Sequence, residues 1–323
     1  MRKHTYTPFI SSESESKLIK SAYNFIPSMF SVLKDLIGKE IAEGFNSKIF
    51  EYGDQDPTKN SYLVKVMPAK NINKLKQHQE EFALGFNNKH PFVLNYKGLD
   101  IEEVNKDDVK YIVYIKMKKM KKSLKTYIQE LKSSESNHKN LPLKNVVWIF
   151  YSLASALSYL EAKGIVHSNV TADSVLFDEN DTIQLGGFAF SRYKPWHHSE
   201  KKVYQSYWPP ERFLQPINNQ NIEKENAFKS DVWCLGKLIV DICLLRDKIQ
   251  KEVTVEKINE KVEKDLGEVE KIEDQDQKRL YGENLIRILK WLLASNRQDR
   301  PNFKEICDLL EDTYPHFVRV NSV

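Results

Sequence analysis

Residues Ile165–Asp178 read IVHSNVTADSVLFD, and residues Ile183–Arg192 read IQLGGFAFSR. Each stretch is an apolar run broken by a short turn, and its β-branched flanks predict short strands. Together they outline a strand–loop–strand of the kind on which rigid scaffolds carry reactive groups. The first loop, however, offers His167, Ser168, Asn169, Thr171 and Ser174, and the second offers Gly187, Phe188 and Ala189. The question is whether this is an active site with unusual residues or the outline of one from which the reactive groups are gone.

Working outward, LKNVVWIFYSLASALSYLEAKG (Leu143–Gly164) is a strongly amphipathic helix. Val146, Phe150, Leu153, Leu157 and Leu160 share a face, and Gly164 is a natural stop. SDVWCLGKLIVDICLL (Ser230–Leu245) is apolar on most sides, which predicts a buried helix, with Ser230 or Asp231 as candidate N-cap. RDKIQKEVTVEKINEKVEKDLGEVEKIEDQDQKRL, dense in both charge signs, reads as exposed helix or loop. The first third is strand-rich. SMFSVLKDLIGKEIAEGFNSKIFEYG has β-type runs around a turn at Glu43–Ser47, SYLVKVMPA is a buried strand, and NKLKQHQEEFALGF is a helix with Phe82 and Phe86 one turn apart. FVLNYKGLDIEEV and VKYIVYIKM are two further strands. A small strand-rich half with one helix therefore precedes a larger helical half.

The totals exclude several classes. A chain of 323 residues buries a sizeable core, and 41% hydrophobic with 29% charged residues is ordinary for a globular protein. A net charge of +4 demands neither nucleic acid nor a membrane surface. No apolar run is long enough to span a bilayer, and MRKHTYTPFISSESESK lacks a signal-peptide core, so a cytoplasmic location is expected. Cys234, Cys243 and Cys307 lie in helical apolar patterns without metal-ligand spacing, and read as reduced core cysteines.

The order of elements and several motifs resemble the eukaryotic protein kinase domain, from about Asp35 to Phe317. HSNVTADSVLF lies where the family has H-R-D-x-K-x-x-N and a strand, and GFA lies where it has D-F-G. YWPPE resembles A-P-E, SDVWCLG resembles the helix start D-V-W-S-x-G, RQDRP the element whose arginine pairs with the A-P-E glutamate, and KHPF the turn after the first helix. The resemblance implies an α+β, bilobal fold. A small antiparallel-sheet N-lobe with one main helix would span residues 35–116, and a larger, mainly helical C-lobe would span 117–318. Residues 1–34 would form an N-terminal extension and 319–323 a tail.

The resemblance also assigns positions. The catalytic base falls at Asn169, whose amide takes no proton; loss of a general base costs on the order of 10²–10⁴ in rate. The loop lysine falls at Thr171, the second metal ligand at Ser174, and the arginine that reads a phosphorylated activation segment at Ser168. The main magnesium ligand falls at Gly187, which has no side chain, while magnesium prefers hard oxygen donors. Phe188 is kept for packing, Ala189 replaces a glycine, and His167 corresponds to a core histidine bonded to backbone. Of the phosphate-covering glycines only Gly44 remains, with Ala42 and Ser47 at the outer positions. Leu63 stands where an alanine lies against adenine, and overfilling a packed site costs about 1–3 kcal/mol. Lys65 is the strand lysine; it either binds phosphate or forms an ion pair with Glu81 or, one register off, Glu80. Glu211, Asp231 and Arg300 serve the fold.

No catalytic residue, metal ligand or cofactor is therefore expected. The implied function is that of a pseudokinase, a scaffold or structural subunit that binds other proteins. The alternative is an atypical or weakly active, ATP-binding Ser/Thr kinase that relies on Lys65. The run KMKKMKK supplies Lys116, Lys118, Lys119, Lys121 and Lys122, which form either a solvated connector or a basic edge for acidic partners. Tyr193, Ser199, Tyr204 and Ser206 lie on the activation-like segment, where loss of the reading arginine argues against a phospho-switch.

Overall fold

A computed structural model describes residues 37–44, 47–53, 62–106, 108–133, 140–191, 209–211, 224–246, 255–274, 279–280 and 282–319. The N-terminal extension, the four candidate modification sites and the last residues of the tail lie outside these. The chain divides into two units. One runs to Lys89 and resumes at Asn95–Lys119; the other comprises His90–Leu94 and everything from Met120 onward.

The first unit is a five-stranded antiparallel sheet of β1 (Ile37–Gly44), β2 (Ser47–Tyr52), β3 (Tyr62–Ala69), β4 (Tyr96–Lys106) and β5 (Val109–Lys118), in the order β1-β2-β3-β5-β4. One helix, α1 (Ile72–Asn87), packs across β3, β4 and β5. Asn71 starts the helix, because its side chain accepts from the Lys74 N–H at 3.0 Å. The pleat sends alternate residues of β3 to opposite faces. Val64 and Val66 join Tyr114, Tyr52, Ile37 and Ile112 in one apolar cluster. Leu63, Lys65 and Met67 take the other face, where Lys65 meets α1.

The second unit is built on α3 (Leu143–Ala162), preceded by β6 (Lys122–Ser123) and α2 (Leu124–Ser133). Val146, Phe150, Leu153 and Leu160 of α3 are wholly buried. The helix ends in a Schellman-type cap: Gly164 takes φ 72°, and the Ile165 N–H reaches the Leu160 carbonyl at 2.9 Å. Strands β7 (Val175–Phe177) and β8 (Ile183–Leu185) join β6 in a small antiparallel sheet against α3. The remaining elements are α4 (Lys224–Cys243), α5 (Val255–Glu270), the paired β9 (Glu273–Asp274) and β10 (Arg279–Leu280), α6 (Gly282–Leu292), α7 (Phe303–Thr313) and α8 (Pro315–Arg319). Helices α4, α7 and α8 pack on α3, and α6 packs on α4 and α5.

Three sequence expectations are corrected. The helix placed at Ser230 begins at Lys224, so Ser230 and Asp231 are interior residues and neither caps it. The strand expected from Phe92 begins at Tyr96. Phe92–Leu94 belong to the second unit, where Val93 bridges Leu185 and the Leu94 N–H donates to the Leu185 carbonyl. The charge-dense segment is not uniformly solvated: α5 buries Ile258, Val262, Leu266 and Val269. It also buries Asp265, which is ion-paired to Arg246 and Lys261 at 2.7 Å each and to Lys237 at 3.2 Å. Burial pushes the Asp265 carboxyl up, but hydrogen bonds from Arg246 and Lys261 and the nearby cations outweigh it and hold it below its usual value. The sequence shows the charges but not that three cations converge on one carboxylate.

Arg300 is 1% exposed. Its guanidinium donates to both carboxylate oxygens of Glu211 at 2.8 and 2.9 Å, to the carbonyls of Ala294, Ser295 and Lys229, and lies over the Trp233 ring. Removing Glu211 leaves a buried cation without its counter-charge. Glu211→Ala is expected to cost about 3–5 kcal/mol in denaturant unfolding, and Glu211→Ala with Arg300→Met to recover most of the loss.

Candidate functional site

The resemblance distributes its site residues over both units. In the first, Ala42 pairs with Ile49, and Gly44 pairs directly with Ser47 at the end of the β1–β2 hairpin. Leu63 is buried at 6% exposure, paired with Met117. Lys65 donates to Glu81 Oε1 at 2.6 Å, whereas Glu80 is exposed, which resolves the register in favour of Glu81. A second donor, the Tyr96 hydroxyl, reaches the same oxygen at 3.2 Å. Sequence reasoning missed Tyr96, because an aromatic residue in an apolar strand reads as packing alone.

In the second unit the loop between α3 and β7 is fixed by Asp231 on α4. Its carboxylate accepts from the His167 N–H at 2.7 Å and from the Ser168 N–H at 2.9 Å. Ser168 takes φ 63°, a left-handed conformation that costs a non-glycine residue energy and persists where its surroundings hold it. His167 is fully buried, with Nε2 donating to the Gly186 carbonyl at 2.9 Å and Nδ1 accepting from the Asn169 N–H at 3.3 Å. These contacts fix the neutral tautomer, and burial lowers its pKa to about 4. The Phe188 ring meets His167 edge-on at 5.4 Å, and the Ser191 hydroxyl, also unforeseen, closes on the His167 carbonyl at 2.9 Å. The stretch GGFAF is a 3₁₀ turn over Phe188–Phe190, preceded by Gly187 at φ 80°. The left-handed residue is thus Gly187, and Ala189 sits inside the turn.

The four positions to which the resemblance assigns base, loop lysine and metal ligands hydrogen-bond to one another. Asn169 Nδ2 donates to Ser174 Oγ at 3.0 Å and to the Gly187 carbonyl at 3.4 Å. Ser174 Oγ donates to the Asn169 carbonyl at 2.8 Å, and Thr171 Oγ1 lies 3.2 Å from it. A Cβ on Gly187 would stand 2.7 Å from Ser174 Oγ and 3.1 Å from Asn169 Nδ2. The neighbouring carboxylates are engaged elsewhere. Asp173 pairs with Lys125, and Asp178 accepts from the N–H groups of Asn180 and Thr182.

The lysine run is also engaged. In the first unit, Lys116 lies 4.2 and 4.3 Å over the Tyr52 and Tyr62 rings, and Lys119 pairs with Glu51. In the second, Lys121 pairs with Asp181, and Lys122 pairs with Glu130 and lies over Tyr127. Lys118 also carries an interaction.

The family model for protein tyrosine and serine/threonine kinases matches residues 36–310. The chain belongs to that family. An Aurora kinase of Yarrowia lipolytica is 26% identical over 64% of the chain and half of its own length. Fibroblast growth factor receptor 1 of Dugesia japonica is 26% identical over 50% of the chain and 18% of its own length. Serine/threonine-protein kinase Nek4 of Mus musculus is 23% identical over 76% of the chain and 28% of its own length. The matched region therefore spans half or less of each of these curated relatives. Among the described residues no helix is long and apolar enough to cross a membrane.

Kinase domains use magnesium held by carboxylate and amide oxygens. The positions that the resemblance gives to the metal ligands provide the Ser174 hydroxyl and the Gly187 backbone carbonyl without a carboxylate, and both already accept from the Asn169 amide at the base position. Asn169 Oδ1 is buried without a hydrogen-bond partner, but a lone neutral oxygen is a poor substitute for a charged ligand. This donor set does not fit magnesium.

Two measurements test the packing. Gly187→Ala combines an unfavourable φ with the contact on Ser174, and is expected to cost about 1–3 kcal/mol in denaturant unfolding. His167 has a folded pKa near 4 against an ordinary value of 6.5, so the unfolded chain binds the proton first as pH falls. Its contribution is complete above pH 6.5 and is lost towards pH 4, amounting to about 3 kcal/mol. Unfolding of the wild type and of His167→Asn across that window should show a shallower pH slope for the variant.

Proposed function

We propose that this kinase-family domain is a pseudokinase that binds other proteins and transfers no phosphate. The observation that carries the reading is the hydrogen-bonded group Asn169–Ser174–Gly187, which puts neutral, mutually bonded groups at the positions that the resemblance gives to base and metal ligands. Phosphoryl transfer depends on charge and positioning at those positions, because the protein does little covalent chemistry. Groups that act as a unit do not lose their effects additively, so a single restored residue would recover little. The packed Leu63 supports the same reading, since it adds a branched side chain where the family keeps alanine against adenine.

Acidic segments of other proteins are the proposed partners. The pairs made by Lys119 and Lys121 are partly exposed, and exposed pairs contribute only about 0–1 kcal/mol each. A partner bearing several carboxylates or phosphates can therefore exchange with Glu51 and Asp181 at small cost. A second reading, a weakly active ATP-binding kinase, is favoured by one observation, the intact Lys65–Glu81 pair.

Thermal unfolding with ATP, alone and with magnesium or manganese, separates the two, run beside a phosphotransfer assay on generic protein substrates. The pseudokinase reading expects no turnover and no metal-dependent rise in melting temperature. Stabilisation of about 2.7 kcal/mol at a hundredfold excess over Kd, together with turnover, would establish the second reading instead. For the partner surface, reversing Lys118, Lys119, Lys121 and Lys122 to Glu is expected to abolish capture of a poly-glutamate peptide. Undiminished capture would remove that surface from the proposal.

A further inference from the structure

Glu81 is 1% exposed, and two donors share its Oε1: Lys65 at 2.6 Å and the Tyr96 hydroxyl at 3.2 Å. Tyr96 itself is 2% exposed. Burial, helped by the Glu81 charge, pushes its phenol well above the usual value and keeps it a donor. The ring reaches this place because of Gly85. A Cβ on Gly85 would stand 2.4, 2.6 and 2.7 Å from Cδ2, Cγ and Cε2 of Tyr96, closer than packed atoms approach. Gly85 lies within α1, where glycine is unfavourable relative to alanine. It is not among the glycines with positive φ, so the backbone does not require it there. What requires it is the ring: a large residue on β4 fills the volume that a small residue on α1 leaves.

Hydrogen bonds around the contact hold the same end of the helix. Asn95, beside Tyr96, donates through Nδ2 to the carbonyls of Gly85 and Phe86 at 3.1 and 3.2 Å. Asn88 donates to the Leu84 carbonyl at 2.7 Å. Three orphan carbonyls of the last turn are thereby satisfied, and the Tyr96 hydroxyl adds a tie to the turn before.

We propose that Tyr96 is the positioning residue of the Lys65–Glu81 pair, reaching through the gap at Gly85 to hold Glu81 on Lys65 so that α1 keeps its place without any ligand. In kinases generally the strand lysine and helix glutamate must be brought together for activity, and placement of the helix is a point of control. Here the contact is built into the first unit by one exchange of volume between helix and strand. The contact lies wholly within the first unit and is independent of whether the chain transfers phosphate.

Hydrogen exchange of the α1 amides in the full chain, without nucleotide, tests it. Tyr96→Phe keeps the ring and removes the hydroxyl. It is expected to raise α1 opening about tenfold, the size of one hydrogen bond to a charged group, and to leave β5 amides unchanged. Gly85→Leu with Tyr96→Leu refills the volume without a hydroxyl and is expected to match Tyr96→Phe rather than the wild type. Tyr96→Phe and Glu81→Gln are expected to be less than additive, because both act through one contact. The proposal fails if Tyr96→Phe changes α1 opening by less than about twofold, which would leave the ring as packing. It fails equally if α1 and β5 loosen together, or if the wild-type helix becomes protected only when ATP and magnesium are added.

Discussion

The loop between α3 and β7 depends on one buried carboxylate. Asp231 sits inside α4 and accepts from two consecutive backbone N–H groups, those of His167 and Ser168. Those two bonds hold Ser168 in a left-handed conformation that its side chain does not favour. With that kink in place, His167 points inward to the Gly186 carbonyl, Phe188 packs on its edge, and Ser191 closes on its carbonyl. None of these contacts requires a substrate or an ion. The frame of a catalytic loop is thus maintained by interactions that are independent of catalysis.

That independence leaves room for neutral residues at the positions that the resemblance assigns to base and metal ligands. The Asn169 amide N–H group and the Ser174 hydroxyl bond to each other and to neighbouring backbone, and only Asn169 Oδ1 is left without a partner among these side-chain atoms. Gly187 removes the one Cβ that would collide with them. A neutral cluster spares the loop the mutual repulsion of closely spaced carboxylates and the cost of holding charges in a partly buried site. The same logic recurs in the first unit, where the Lys65–Glu81 pair is satisfied within the protein by Tyr96.

Charge patterns were the least legible feature. The run Lys116–Lys122 reads in sequence as free positive charge, yet four of its lysines make ion pairs or lie over aromatic rings. The charge-dense segment after Arg246 reads as solvated, yet Asp265 gathers Arg246, Lys237 and Lys261 at a buried point of α5. Apart from Lys261, which lies one turn before Asp265 on α5, the partners lie on other elements or outside the run, where the local pattern does not point to them.

The sequence by itself determined the order of elements, the family, and the presence of Asn169 and Gly187 where the resemblance expects carboxylates, because periodicity and residue identity are local properties. It also placed the core face of α3 and its stop at Gly164. Only the tertiary structure decided that Glu81 rather than Glu80 meets Lys65, that Phe92–Leu94 bridge to Leu185, and that α4 starts a turn and a half before its expected cap. It alone revealed Tyr96 against Gly85. The physical reason is common to all four: each depends on which groups from distant parts of the chain compete for the same space or the same oxygen, and that competition exists only once the elements are packed.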